Sequence, residues 1–237
     1  MNVFVAGASG VIGQPLLKLL RDAGHAVTGT TRSQSKIAMI ESLGARGVVA
    51  DAFDADAMQR AVLAAKPDVV IHQLTDLPDL SDPAQMAVVR EKNARLRIEG
   101  TRNLMAAAKA AGVRRVVAQS IAFIYEPGRK PHREDDPLDK SVSQRLTMSG
   151  VVALEDAVLR TPGIDGIVLR YGRLYGLGTW FNQPGGPGPL TAGAAAHAAL
   201  LALTFGAPGI YNIAEDDGEF SVEKARRELG FEPAFRL

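Results

Sequence analysis

The segment Ala6-Gly7-Ala8-Ser9-Gly10-Val11-Ile12-Gly13 has the residue types and spacing to hold an anion. It follows an apolar run from Asn2 and opens a stretch with apolar residues three and four apart, so it reads as a strand-to-helix turn. Gly7 permits the sharp turn, Gly10 lets the backbone approach a pyrophosphate, and Gly13 lets the helix lie close to the strand. Free amides of Ser9, Val11 and Ile12 at the helix start then face the phosphates, helped by the positive end of the helix dipole. A tight turn without a ligand is the alternative; the strand before and helix after favour dinucleotide binding.

The exit of the second strand bears on which dinucleotide. A free ribose 2′-hydroxyl is usually met there by a carboxylate and a 2′-phosphate by a cation. The sequence is Thr30-Thr31-Arg32-Ser33, with Lys36 a turn later. Arg32 can fork onto a phosphate and Ser33 can add a hydroxyl, so NADP is expected over NAD; an exposed Arg with no ligand is the alternative. Asp51, with Ala52 beside it, closes the third strand, where its carboxylate can accept from an adenine amino group or cap the helix beginning near Asp54.

The remaining composition excludes much. The chain has 237 residues, 46% hydrophobic, with 27 basic and 26 acidic side chains and no cysteine. The charges form no one-signed run, so a nucleic-acid partner is not expected. Without cysteine there is no disulfide, thiolate metal site or thiol nucleophile, and a cytoplasmic location is expected. The four histidines, His25, His72, His132 and His197, lack metal-ligand spacing, so no metal is expected. The apolar stretch Ala192 to Phe205 is too short to span a membrane and reads as a core helix.

The elements that must position these residues alternate as in an α/β fold. Strands are predicted near Asn2–Ala6, Ala26–Thr30, Gly47–Ala50, Asp68–His72, Arg115–Ser120, Gly166–Arg170 and Ile210–Ile213. Helices are predicted over Ile12–Ala23, Asp54–Ala65, Pro83–Ala111, Ser143–Arg160 and Gly193–Phe205, with Gly24 and Gly112 as stops. Glu126–Gln144 is a charged surface excursion, and Asn182–Pro189 a Gly/Pro connector. This amounts to a Rossmann-type doubly wound parallel sheet forming one domain over residues 1–237, with roughly 172–237 contributing a small C-terminal substrate lobe.

In order and spacing these segments resemble the extended short-chain dehydrogenase/reductase superfamily, which includes the NAD-dependent epimerases and dehydratases. Besides the glycine turn, the resemblance rests on Asp68-Val69-Val70-Ile71-His72-Gln73-Leu74-Thr75, on Gly100-Thr101-Arg102-Asn103-Leu104, on Gly112 to Val117, on Leu169-Arg170-Tyr171-Gly172-Arg173-Leu174-Tyr175-Gly176, on Gly209 to Ile213 and on Ser221 to Phe231. It implies that Leu74, Thr75, Gln119, Ser120, Tyr171 and Leu174 line the cofactor groove. It also implies a homodimer through the two long helices.

The departures concern catalysis. The superfamily uses a Tyr and a Lys four residues apart on one helix, the Lys lowering the phenol's pKa. The corresponding positions here are Thr147 and Val151, and the family's catalytic Ser or Thr falls on Ile121. Ser120 and Tyr125 become the candidate proton donors, and Asn93 and Arg97 read as helix-face polarity. The expected function is an NADP-dependent oxidoreductase of the epimerase/dehydratase type acting on a small carbonyl or alcohol. A non-catalytic NAD(P)-binding sensor is the alternative, and a nucleotide-sugar epimerase or dehydratase a further one. A hydroxyl, phenol or imidazole within reach of a carbonyl over the nicotinamide favours the enzyme; an apolar wall there counts against it.

Overall fold

The computed structural model describes residues 1–77 and 86–237. Seven parallel strands form the main sheet: β1 (Asn2–Ala6), β2 (Ala26–Thr31), β3 (Arg46–Val49), β4 (Val69–His72), β5 (Arg115–Ile121), β6 (Asp165–Tyr171) and, later in the chain, β9 (Gly209–Ile213). Their order is β3-β2-β1-β4-β5-β6-β9, the doubly wound arrangement, whose reversal beside β1 opens a crevice at the strand ends. β7 (Arg173–Tyr175) and β8 (Pro189–Thr191) pair separately.

Helices cover both faces. On one lie α1 (Gly13–Asp22), α7 (Ala192–Leu201) and α8 (Glu223–Leu229); on the other lie α3 (Ala55–Ala65), α4 (Met86–Arg95), α5 (Thr101–Ala110) and α6 (Arg145–Leu159). α1 buries Leu16, Leu17 and Leu20, spaced as one helix face, and each contributes roughly 1.5–3 kcal/mol by leaving water. α7 buries Ala194, Ala195, Ala196, Ala198 and Ala199, small side chains that let it pack closely on α1. Gly24 and Gly112 take left-handed φ of 77° and 72° just after their helices.

Two features differ from the sequence expectation. A short helix α2 (Ile37–Ser42) follows Lys36 and buries Ile40 alone, too brief for a periodic signal. The long helix expected from Pro83 is two helices joined by a π turn, Leu96–Gly100, which delivers Thr101 to His72; the start at Pro83 lies outside the described residues. Within residues 172–237, β9 hydrogen-bonds β6 and α7 covers α1, while β7 and β8 pair outside the main sheet.

Candidate functional site

The glycine turn sits at the C-terminal end of β1. Gly7 has φ 88°, and a Cβ there would stand 2.7 Å from the Gln73 carbonyl carbon, which only glycine avoids. At Gly13 a Cβ would meet the Ala8 carbonyl carbon at 2.7 Å, so this residue sets how closely α1 packs on the turn. At Gly10 a Cβ would meet only Gly7 O, at 3.3 Å, and would project into the open turn. The amides of Ser9, Val11 and Ile12 have no protein acceptor among the described residues. Donors are thus present where an anion can approach, and a side chain at Gly10 would fill the space it needs, so the turn fits a pyrophosphate.

Around it, Ser9 Oγ donates to Thr31 Oγ1 at 3.1 Å and the Ser33 amide donates to the same hydroxyl at 3.2 Å, fixing the exit of β2 against the turn. Arg32 is exposed, and its Nη2 lies 2.7 Å from Asp76 Oδ1. Ser33 Oγ is 2.8 Å from Ser35 Oγ. Asp51 does not cap α3: Asp54 does, accepting from the Ala57 amide at 2.9 Å. Asp51 instead accepts from the Phe53 amide at 2.9 Å and remains exposed beside the buried Ala52.

The exit of β4 forms the other wall. The His72 Nδ1 accepts from the Leu74 amide at 3.2 Å, so its proton sits on Nε2, which meets Thr101 Oγ1 at 2.9 Å. Burial, and secondarily the charge of Arg97, lower the His72 pKa to about 4. Gln119 Nε2 donates to Leu74 O at 2.9 Å. Leu74 and Leu174 are half-buried and Thr75 is exposed. Tyr171 is buried, donating to Ala195 O and accepting from Gln73 Nε2, both at 3.1 Å.

Both candidate proton donors are buried and hydrogen-bonded within the protein. Ser120 is buried and donates to Glu155 Oε1 at 2.7 Å. Arg170 forks onto the same carboxylate, Nε to Oε1 at 2.9 Å and Nη2 to Oε2 at 2.7 Å. Tyr125 donates to Asn212 Oδ1 at 2.6 Å and accepts from Arg170 Nη1 at 2.9 Å, with its ring stacked on His132 at 5.1 Å. Burial pushes its phenol pKa up. Both hydroxyl protons serve an internal network that ties the 126–140 excursion to the sheet.

Of the positions of the superfamily's proton relay, Ile121 and Val151 are apolar and Thr147 carries a hydroxyl. Val151, Met148 and Ile124 are buried as one cluster against Ile121 and Leu138. Thr147 is half-buried and makes no side-chain hydrogen bond among the described residues.

Sequence reasoning missed two residues. Asn93 is not helix-face polarity: it is buried, accepts from the Asp76 amide at 3.1 Å and donates to Asp76 O at 2.8 Å. Arg97 is half-buried; its guanidinium has no partner among the described residues, and burial lowers its pKa to about 10. The one available signal was their i, i+4 spacing, which runs from α4 into the π turn.

Comparison with known proteins agrees with this geometry. A family model described as NAD(P)H-binding matches residues 7–179. A 3-diazoavenalumate denitrifying reductase from a Streptomyces species is 46% identical over 190 residues, covering 78% of this chain and 60% of that protein. The chain thus spans less than two thirds of that relative's length. UDP-glucose 4-epimerase from Thermotoga maritima superposes with a TM-score of 0.78 at 20% identity, covering 100% of this chain and 94% of that one. WbmG from Bordetella bronchiseptica, solved with NAD and UDP, gives 0.76 at 19% identity, covering 100% and 90%. At such identities these structures speak for the fold. No helix among the described residues is long and apolar enough to cross a membrane. The chain belongs to the NAD(P)H-binding family.

Proposed function

We propose that the chain is an NADP-dependent reductase whose small acceptor needs no proton from the protein. The observation that carries this is the glycine turn with its free Ser9, Val11 and Ile12 amides beside an apolar cluster of Ile121, Ile124, Met148 and Val151, an apolar wall that counts against an enzyme protonating its acceptor but leaves hydride transfer alone open. The reduced nicotinamide, when bound, supplies a hydride. The chain's own contribution is to bind and orient: the Ser9, Val11 and Ile12 amides take the pyrophosphate, Arg32 and Ser33 take the 2′-phosphate, and Leu74 and Thr75 wall the groove. The apolar cluster excludes water from the reacting face.

A carbonyl, the acceptor expected from sequence, becomes an alkoxide on taking hydride and must gain a proton; here that proton has to come from solvent. A diazonium acceptor does not. Hydride attack with loss of dinitrogen leaves a neutral product, both electrons coming from the hydride. The name of the Streptomyces relative describes reduction of a diazo compound with loss of nitrogen, and we take a diazo-type acceptor as the preferred substrate class.

A homodimer is part of the proposal, with exposed Val88 on α4, Ile98 just beyond it, and Leu146 and Val152 on α6 as its apolar surface.

Calorimetric titration of cofactor-stripped protein with NADPH and NADH, followed by diazo and carbonyl acceptors, tests the reading. Tight NADPH binding that Arg32→Ala weakens by about tenfold or more, with NADH little changed, supports it. Equal losses for both cofactors contradict the phosphate role. Tight binding with no turnover of any acceptor favours the non-catalytic alternative.

A further inference from the structure

Two opposite charges meet across the cofactor groove. Arg32 leaves the end of β2, Asp76 follows β4, and β1 lies between these strands, so the ion pair spans the exit that forms the glycine turn. The two ends are held differently. Asp76 is pinned through its backbone by Asn93, which is 6% exposed and also donates to Val89 O at 3.0 Å. The Arg32 side chain is 65% exposed, and Asp76 is its ion-pair partner. One partner is therefore a short side chain on an anchored backbone and the other a long arm free to swing.

We propose that Asp76 competes with the cofactor's 2′-phosphate for Arg32 and thereby limits the preference of this protein for the phosphorylated dinucleotide. The inference rests on the reading of Arg32 as the 2′-phosphate ligand. To fork onto a phosphate, the guanidinium must leave Asp76 or share itself with it. Asn93 holds the Asp76 backbone at the edge of the groove, so its negative charge stays near an incoming group of like sign. A cofactor with a free 2′-hydroxyl leaves the ion pair intact. The carboxylate thus opposes NADPH and spares NADH. The pair is solvent-exposed, so the effect is modest and falls with salt.

The test is calorimetric titration of the full chain with NADPH, NADH, adenosine 2′,5′-bisphosphate and AMP, in wild type, Asp76→Asn and Arg32→Ala. Asp76→Ala serves as a second variant, because the bonds to Asn93 use the backbone and survive either change. Removing the charge should tighten NADPH and the bisphosphate by about two- to fivefold. NADH and AMP should stay within about twofold, and the gain should shrink as salt rises. Unchanged or weaker NADPH binding in both Asp76 variants overturns the proposal, weaker binding meaning that Asp76 aims Arg32 at the phosphate. If Arg32→Ala weakens all four ligands equally, it is the NADP reading that fails.

Discussion

Glu155 on α6 receives Arg170 of β6 through two parallel hydrogen bonds, 2.9 and 2.7 Å long, while Ser120 of β5 donates to the same carboxylate at 2.7 Å. This junction joins two central strands to the helix packed on them, beneath the groove. Removing one partner of a buried ion pair leaves the other uncompensated, at a cost of about 3–5 kcal/mol. Arg170→Met and Glu155→Ala should each lower the denaturation midpoint accordingly. Losses under about 1 kcal/mol would show that the pair is not the anchor described here.

Tyr125 separates a structural from a catalytic role. Its phenol proton goes to Asn212, so Tyr125→Phe should cost about 1–2 kcal/mol of stability through the unpaired Asn212 and Arg170 groups. Turnover of bound cofactor should stay within about twofold of wild type. A loss of about a hundredfold in turnover without a change in KM would restore Tyr125 as the proton donor.

The fold should weaken in acid through His72. Its folded pKa, about 4, lies below the unbound value of 6.5. Between these values the unfolded chain takes up a proton that the folded chain refuses, so this contribution is complete above about pH 6.5 and is lost as pH falls toward 4. It amounts to on the order of 3 kcal/mol. Urea unfolding across this range should show the slope, and His72→Gln should flatten it. An unchanged slope in that variant would assign the acid sensitivity to other groups.

At the glycine turn, Gly10→Val should fold and bind neither dinucleotide, because the added side chain projects into the open turn. Gly13→Ala should instead lower stability, since its Cβ meets the Ala8 backbone. Thermal melting with and without NADPH distinguishes the two. A Gly10→Val protein that still gains stability on adding NADPH would refute the cradle.

The sheet was legible in the sequence because short apolar runs alternate with periodic helical stretches, and β1 is bounded as predicted. The glycine turn was legible because glycine there answers a backbone requirement, stated by residue type alone. The network of Ser120, Glu155, Arg170, Tyr125 and Asn212 was not, because it joins residues from five separate segments whose meeting depends on β6 and β9 lying side by side. Tyr125 and Ser120 looked available because sequence shows a hydroxyl but not the acceptor it has already found. Asp76 escaped notice for the same reason: its importance comes from facing Arg32 across β1.

The most direct test of the account is the rate of NADPH oxidation with an aryl diazonium salt against that with a matched aryl aldehyde, using Gly10→Val protein as the blank for uncatalysed reduction. Oxidation with the diazonium, releasing one dinitrogen per NADPH and leaving the aldehyde at the blank rate, is the predicted result. Turnover of the aldehyde at a comparable rate, or of neither acceptor, would contradict a reductase that works without a protein proton donor.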